Sequence, residues 1–211
     1  MLIGGLEALR RLREGNERFA SEAQTGEMFL KRMRSAKTDI KQEPIAIILG
    51  CSDARVPIEM VFDQELGDLF VIRVAGNIVA PSQWGSAEFA AEKFGTRLVV
   101  VLGHSHCGAV VGTLDVLGRP RDPMSSHTRF IADLIEPAVA PLLDPALGYD
   151  RETLIRESVR ANVRQSVRQL RHGSGILTRL IENEGLLVVG AEYSLETGRV
   201  QFVEGALEGE A

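Results

Sequence analysis

The chain has 211 residues, 45% hydrophobic and 25% charged, with a formal net charge of −5 and a sequence pI near 5.5. That length supports a core that folds without crosslinks, and the acidic balance excludes the electrostatic footprint of a nucleic-acid or anionic-membrane binder. No apolar run approaches the roughly 18 residues of a bilayer span, and Met1-Leu2-Ile3-Gly4-Gly5 lacks the basic start of a signal peptide, so a cytoplasmic location is expected.

In chain order, residues 4–22 read as an amphipathic helix, with Leu6, Leu9, Leu12 and Phe19 at helical spacing among Arg and Glu. A second short helix is expected at 29–37. After Pro44 come four short apolar runs, at 45–49, 69–74, 98–102 and 186–189. Each is continuous rather than alternating, as in strands covered on both faces. Residues 82–94 read as a helix with Ser82 as N-cap. The stretch 115–150, crowded with Pro120, Pro123, Pro137, Pro141 and Pro145, reads as a loop or short-helix excursion. A long helix follows, with Ile155, Val159, Val163 and Val167 in one i+4 stripe. The last strand ends at Tyr193, before a hairpin at Glu196-Thr197-Gly198. This rhythm predicts an α/β fold: a mostly parallel central β-sheet flanked by α-helices. One domain spans 1–211, with an N-terminal helical arm at 1–40 and a core at 45–205.

The chemistry-bearing residues sit at the ends of two of these strands. One runs into Gly50-Cys51-Ser52-Asp53-Ala54-Arg55, the other into Gly103-His104-Ser105-His106-Cys107-Gly108. Ligands of open α/β sheets collect at the carboxyl ends of strands. If the two strands are neighbours, Cys51, Asp53, His104 and Cys107 converge. Thiolate and imidazole are good zinc ligands, and a carboxylate can take a fourth tetrahedral position. His-x-x-Cys spacing lets His104 and Cys107 face one metal, whereas His106 points elsewhere on a regular turn. The only two cysteines are both in the set, and in a reducing compartment metal binding or catalysis is a commoner use than a disulfide. A Cys107, His104, Asp53 thiol relay is the rival reading, but it leaves Cys51 and Arg55 without roles. Gly103 to Gly108 lacks the Lys-Ser/Thr of a phosphate loop. Arg55 can pair with Asp53 and draw it off the metal, leaving a position for water.

The motifs Cys51-Ser52-Asp53-Ala54-Arg55 and Gly103-His104-Ser105-His106-Cys107-Gly108-Ala109-Val110 resemble the two signatures of β-class carbonic anhydrases. Phe62-Asp63-Gln64, Gly67-Asp68-Leu69-Phe70-Val71-Ile72-Arg73 and Ala75-Gly76-Asn77 are similar to the same family, densely from 42 to 111 and more loosely outside it. The resemblance implies Zn(2+) on Cys51, His104 and Cys107, with Asp53 and Arg55 as a gating pair that places Asp53 on or off the metal. It implies that Gln42 hydrogen-bonds substrate or product. It also implies that Phe70, Ala75 and Phe89 line the carbon dioxide pocket of a neighbouring subunit in a homodimer or homotetramer. Two positions depart from the pattern. Ala54 replaces a serine, and Ile48 stands where one subgroup has a tryptophan that joins an arginine and a tyrosine, here Arg73 and Tyr193, in holding inhibitory bicarbonate.

The implied reaction is reversible hydration of carbon dioxide to bicarbonate and a proton, zinc lowering the pKa of bound water from about 15.7 toward about 7. Two thiolates cancel the metal's charge, so activity should favour alkaline pH. His106 is a candidate proton shuttle by proximity. The rivals are a hydrolase of carbon disulfide or carbonyl sulfide on the same scaffold, and a non-catalytic structural zinc protein with Asp53 as permanent fourth ligand.

Overall fold

A computed structural model describes residues 3–21, 41–118 and 124–205. Five strands, β1 (Ala46–Gly50), β2 (Leu69–Arg73), β3 (Leu98–His104), β4 (Leu187–Tyr193) and β5 (Val200–Glu204), form one sheet in the order β2-β1-β3-β4-β5. The first four are parallel, and β5 returns antiparallel to β4 through the expected hairpin. There Ser194 N–H donates to Arg199 O at 2.9 Å, and Gly198 takes φ +70°. All four apolar runs are therefore strands. β1 and β3 are buried at every residue, which is why neither alternates.

The helices among the described residues are α1 (Gly5–Ala20), α2 (Ile58–Val61), α3 (Pro81–Lys93), α4 (Gly108–Gly118), α5 (Ser126–Val139), α6 (Arg151–His172) and α7 (Gly175–Glu184). One sheet face packs Ile48, Val100 and Val189 under Ala8, Leu9 and Leu12 of α1 and Ile58 and Val61 of α2. The other packs Ile47, Val99, Val101 and Val188 under α3, α6 and α7. α1 thus closes its own chain's sheet. The predicted i+4 stripe of α6 meets the sheet where two glycines clear the way. A Cβ on Gly103 would stand 2.5 Å from Val163, and one on Gly190 2.7 Å from the same side chain.

Two expectations change. Ser82 does not cap α3: the helix starts at Pro81 behind Ala80, which makes no side-chain cap bond, and Ser82 Oγ turns to Gln83. Proline at the first helical position sets φ and removes one of the unpaired N–H groups, and Ala80 O accepts from Gln83 N–H at 2.9 Å and Trp84 N–H at 3.2 Å. The stretch 115–150 is more helical than its prolines suggest. α4 continues to Gly118, and α5 runs 14 residues with Pro137 inside it, followed by short 3-10 turns at Ala140–Leu143 and Pro145–Leu147. Ser125 starts α5 by accepting from Thr128 N–H at 3.2 Å. The helix expected at 29–37 lies outside the described residues.

Candidate metal centre

β1 and β3 are hydrogen-bonded neighbours, so the residues that follow them meet. The chain steps from β1 outward to β2 and then crosses to β3 on β1's other side, which makes the β1/β3 boundary the switch point where a crevice opens at the carboxyl ends. Cys51 and Cys107 sulfurs lie 3.9 Å apart there, and one ligand atom from each of Cys51, His104 and Cys107 falls within 4.8 Å of the others. All three side chains are buried.

The imidazole is set for coordination. His104 Nδ1 lies 3.0 Å from the Ser105 carbonyl, an acceptor only, so Nδ1 carries the proton. Nε2 keeps its lone pair and is buried with no hydrogen-bond partner among the described residues. A buried polar atom left this way is costly unless a ligand completes it. Two sulfurs and that nitrogen form the donor set of a soft-to-borderline divalent cation, and the residues fit zinc. The Asp53, His104, Cys107 relay fits less well, because Nδ1 faces Ser105 and not Asp53.

The two thiols share their environment. Cys107's S–H is the main cause that lowers the Cys51 thiol below its ordinary value, aided by the N–H groups of Gly76 and Asp53 against the effect of burial. Gly76 N is 3.4 Å from the sulfur. Cys107 is pushed above the ordinary thiol value by Cys51 and by burial, while the amides of Ala109 and Val110 at the α4 N-terminus work the other way. A cation that binds both sulfurs must displace the thiol protons.

Arg55 takes Asp53 away from this cluster. Its Nε and Nη2 donate to the two carboxylate oxygens at 3.0 and 2.7 Å, and its backbone N–H adds a third bond at 2.9 Å. The guanidinium holds the Asp53 carboxyl well below the usual range. Asp53 Oδ2 still stands 3.8 Å from His104 Nε2. Arg73 secures the loop, donating to Cys51 O at 3.0 Å and Asp53 O at 2.6 Å.

The carbonic anhydrase family model matches residues 46–200. A carbonic anhydrase of Mycolicibacterium smegmatis is 34% identical over 92% of this chain and 91% of its own. Carbonic anhydrase 2 of Mycobacterium tuberculosis is 35% identical over 91% and 89%. The solved structure of the β-carbonic anhydrase CcaA superposes with a TM-score of 0.68 at 26% identity, covering 96% of this chain and 91% of that one. The chain belongs to the β-carbonic anhydrase family. The fold is also that of a tetrameric β-carbonic anhydrase from Sordaria macrospora, with a TM-score of 0.69 at 20% identity over 94% and 97% of the chains.

As a β-carbonic anhydrase the chain brings together only part of the residue set that the resemblance implies. Ala75 adjoins Gly76 and so stands beside Cys51. Gln42 is exposed ahead of β1, in a cleft with Asp68, Phe94 and Thr96, at the opposite end of the strand from Cys51. Phe70 lies opposite Ile47 on the edge strand β2 and packs with Phe89 and Phe94, ring centroids 5.8 to 6.2 Å apart. Phe89 is 53% exposed. His106 faces Glu196 at 4.0 Å from a left-handed backbone, φ +54°, and lines a cleft of about 810 Å³ with Arg13, Arg156, Glu192 and Arg199. Sequence reasoning missed Gly76 as a donor to Cys51 and Arg73 as the brace of the Cys51–Asp53 loop. It also missed the buried polar residues of α6. Ser158, Asn162 and Ser166 at i+4 spacing, beside the apolar stripe, were the available signal.

Proposed function

We propose that the chain catalyses the reversible hydration of carbon dioxide to bicarbonate and a proton, with zinc held by Cys51, His104 and Cys107. The observation that carries this reading is a buried set of two sulfurs and an unpartnered imidazole nitrogen, beside a carboxylate that Arg55 has drawn aside. Zinc in that position would supply a Lewis acid that makes water nucleophilic near neutral pH. Arg55 keeps Asp53 ionised and off the metal, and Asp53 Oδ2, 3.8 Å from His104 Nε2, remains close enough to close the site itself. Arg73 and Gly76 hold Cys51 in place, and Ser105 fixes the His104 tautomer. The proton released by hydration leaves through His106 at the mouth of the polar cleft.

Gln42, Phe70 and Phe89 act on a second copy of the chain in a homodimer or homotetramer. Their distance from the chain's own Cys51 and the exposure of Phe89 support this assignment. No helix among the described residues is long and apolar enough to cross a membrane. Stopped-flow turnover of carbon dioxide, carbonyl sulfide and carbon disulfide on the zinc-loaded chain tests the reading. Hydration of carbon dioxide should dominate. Turnover of a sulfur gas with little carbon dioxide hydration would reassign the substrate, and no turnover of any gas would leave a structural zinc protein.

A further inference from the structure

Helix α6 buries more than an apolar stripe. Beside Val159, Val163 and Val167 run Ser158, Asn162 and Ser166, all buried and one helical turn apart. Polar side chains at such positions oppose burial unless they are bonded, so each must be accounted for. Asn162 Nδ2 donates to Gly76 O at 2.8 Å, and Ser166 Oγ donates to Asn77 O at 2.9 Å. Two consecutive carbonyls of one short turn, Ala75–Asn77, are thus tied to one helix face.

That turn is one the chain does not adopt easily. Gly76 has φ +69° and Asn77 φ +43°, both left-handed, the second in a residue that carries a Cβ. A Cβ on Gly76 would meet Ile135 at 2.8 Å. The bonds from α6 hold the turn in this conformation, and its conformation aims Gly76 N–H at the Cys51 sulfur. Asn162 Oδ1 has no partner among the described residues, so the amide is placed there for its donor.

We propose that Asn162 and Ser166 are positioning residues for the metal centre, acting through the Ala75–Asn77 backbone on the Cys51 sulfur. The proposal rests on the zinc reading above and adds to it residues that never touch the metal or the substrate. An N–H that points at a coordinating sulfur lowers the energy of its lone pairs and fixes its direction. Partners of this kind change metal affinity by about 10- to 100-fold when removed.

The test uses the full chain, with zinc affinity read by chelator competition and the thiolate-to-cobalt charge-transfer band read in the cobalt-loaded protein. Asn162→Ala should weaken zinc about 10-fold or more and move the band to longer wavelength, because a sulfur without its N–H donor releases electron density more readily. Ser166→Ala should shift both readings in the same direction by less, and Ser166→Thr, which keeps the hydroxyl, should return them toward wild type. Ser158 lies on the same stripe with no bond to the turn, so Ser158→Ala should leave both readings unchanged. Wild-type affinity and spectrum in Asn162→Ala and Ser166→Ala would overturn the proposal. Equal losses in Ser158→Ala would overturn it too, by making the stripe merely structural. If Asn162→Ala does not fold, the Ser166→Ala and Ser166→Thr pair decides. A wild-type chain that binds neither metal would instead overturn the zinc reading beneath it.

Discussion

Asp53 is held by three hydrogen bonds from Arg55, and its ionisation follows from them. A carboxyl whose folded pKa is depressed contributes stability that is present above its unfolded value, about 3.9, and lost only as pH falls through the lower folded value. From about pH 6 to about pH 9 the Asp53–Arg55 pair therefore does not titrate, and a rise of activity over that range belongs to another group. Arg55→Ala removes the force that holds the carboxylate aside. It should leave zinc bound, trap Asp53 on the metal, and lower hydration at about pH 7 by roughly 10- to 100-fold. Near-wild-type rates from about pH 7 to about pH 9, with zinc content intact, would refute the gating role. The convergence of Cys51, His104 and Cys107 was legible in the sequence because rare side chains of the right chemistry closed two predicted strands. Asn162 was not, because it works through a backbone carbonyl contributed by a turn 86 positions away, and no residue-type pattern encodes that pairing.

Among the elements, α6 and α1 give the sharpest stability tests. Gly103→Ala would put a methyl 2.5 Å from Val163 and 3.3 Å from Val159. The helix must then rise off β3, at a cost of about 1–3 kcal/mol. Asn16 joins three elements: its amide donates to Val61 O and Gly198 O, and its Oδ1 accepts from Val200 N–H. Asn16→Ala leaves three backbone groups without that partner and should cost about 3 kcal/mol. Urea unfolding of both variants checks these values, and a loss below about 0.5 kcal/mol in either would show that its contacts are replaceable. The strands were legible because burial on both faces writes itself as a continuous apolar run. The helices of 115–150 were not, because proline frequency reports local preference, whereas Ile135 and Val139 are held by packing against α4 and α6.

For the whole molecule, the proposed active unit is larger than one chain. Phe70, Phe89 and Phe94 form an aromatic cluster at the β2 edge of the sheet, with Phe89 open to solvent, and Gln42 lies at the same strand-start end. Sedimentation at micromolar concentration should show no monomer. Phe89→Asp should release monomer and reduce hydration while zinc stays bound, since Phe89 is remote from the chain's own cysteines. A fully active monomer would contradict the shared pocket. The most direct measurement titrates zinc into the metal-free chain, following carbon dioxide hydration by stopped flow and coordination by X-ray absorption. Hydration should rise in proportion to zinc up to one per chain, with two sulfurs and one nitrogen as protein ligands. Zinc bound by oxygen and nitrogen alone, or a full two-sulfur, one-nitrogen site without hydration, would contradict the account.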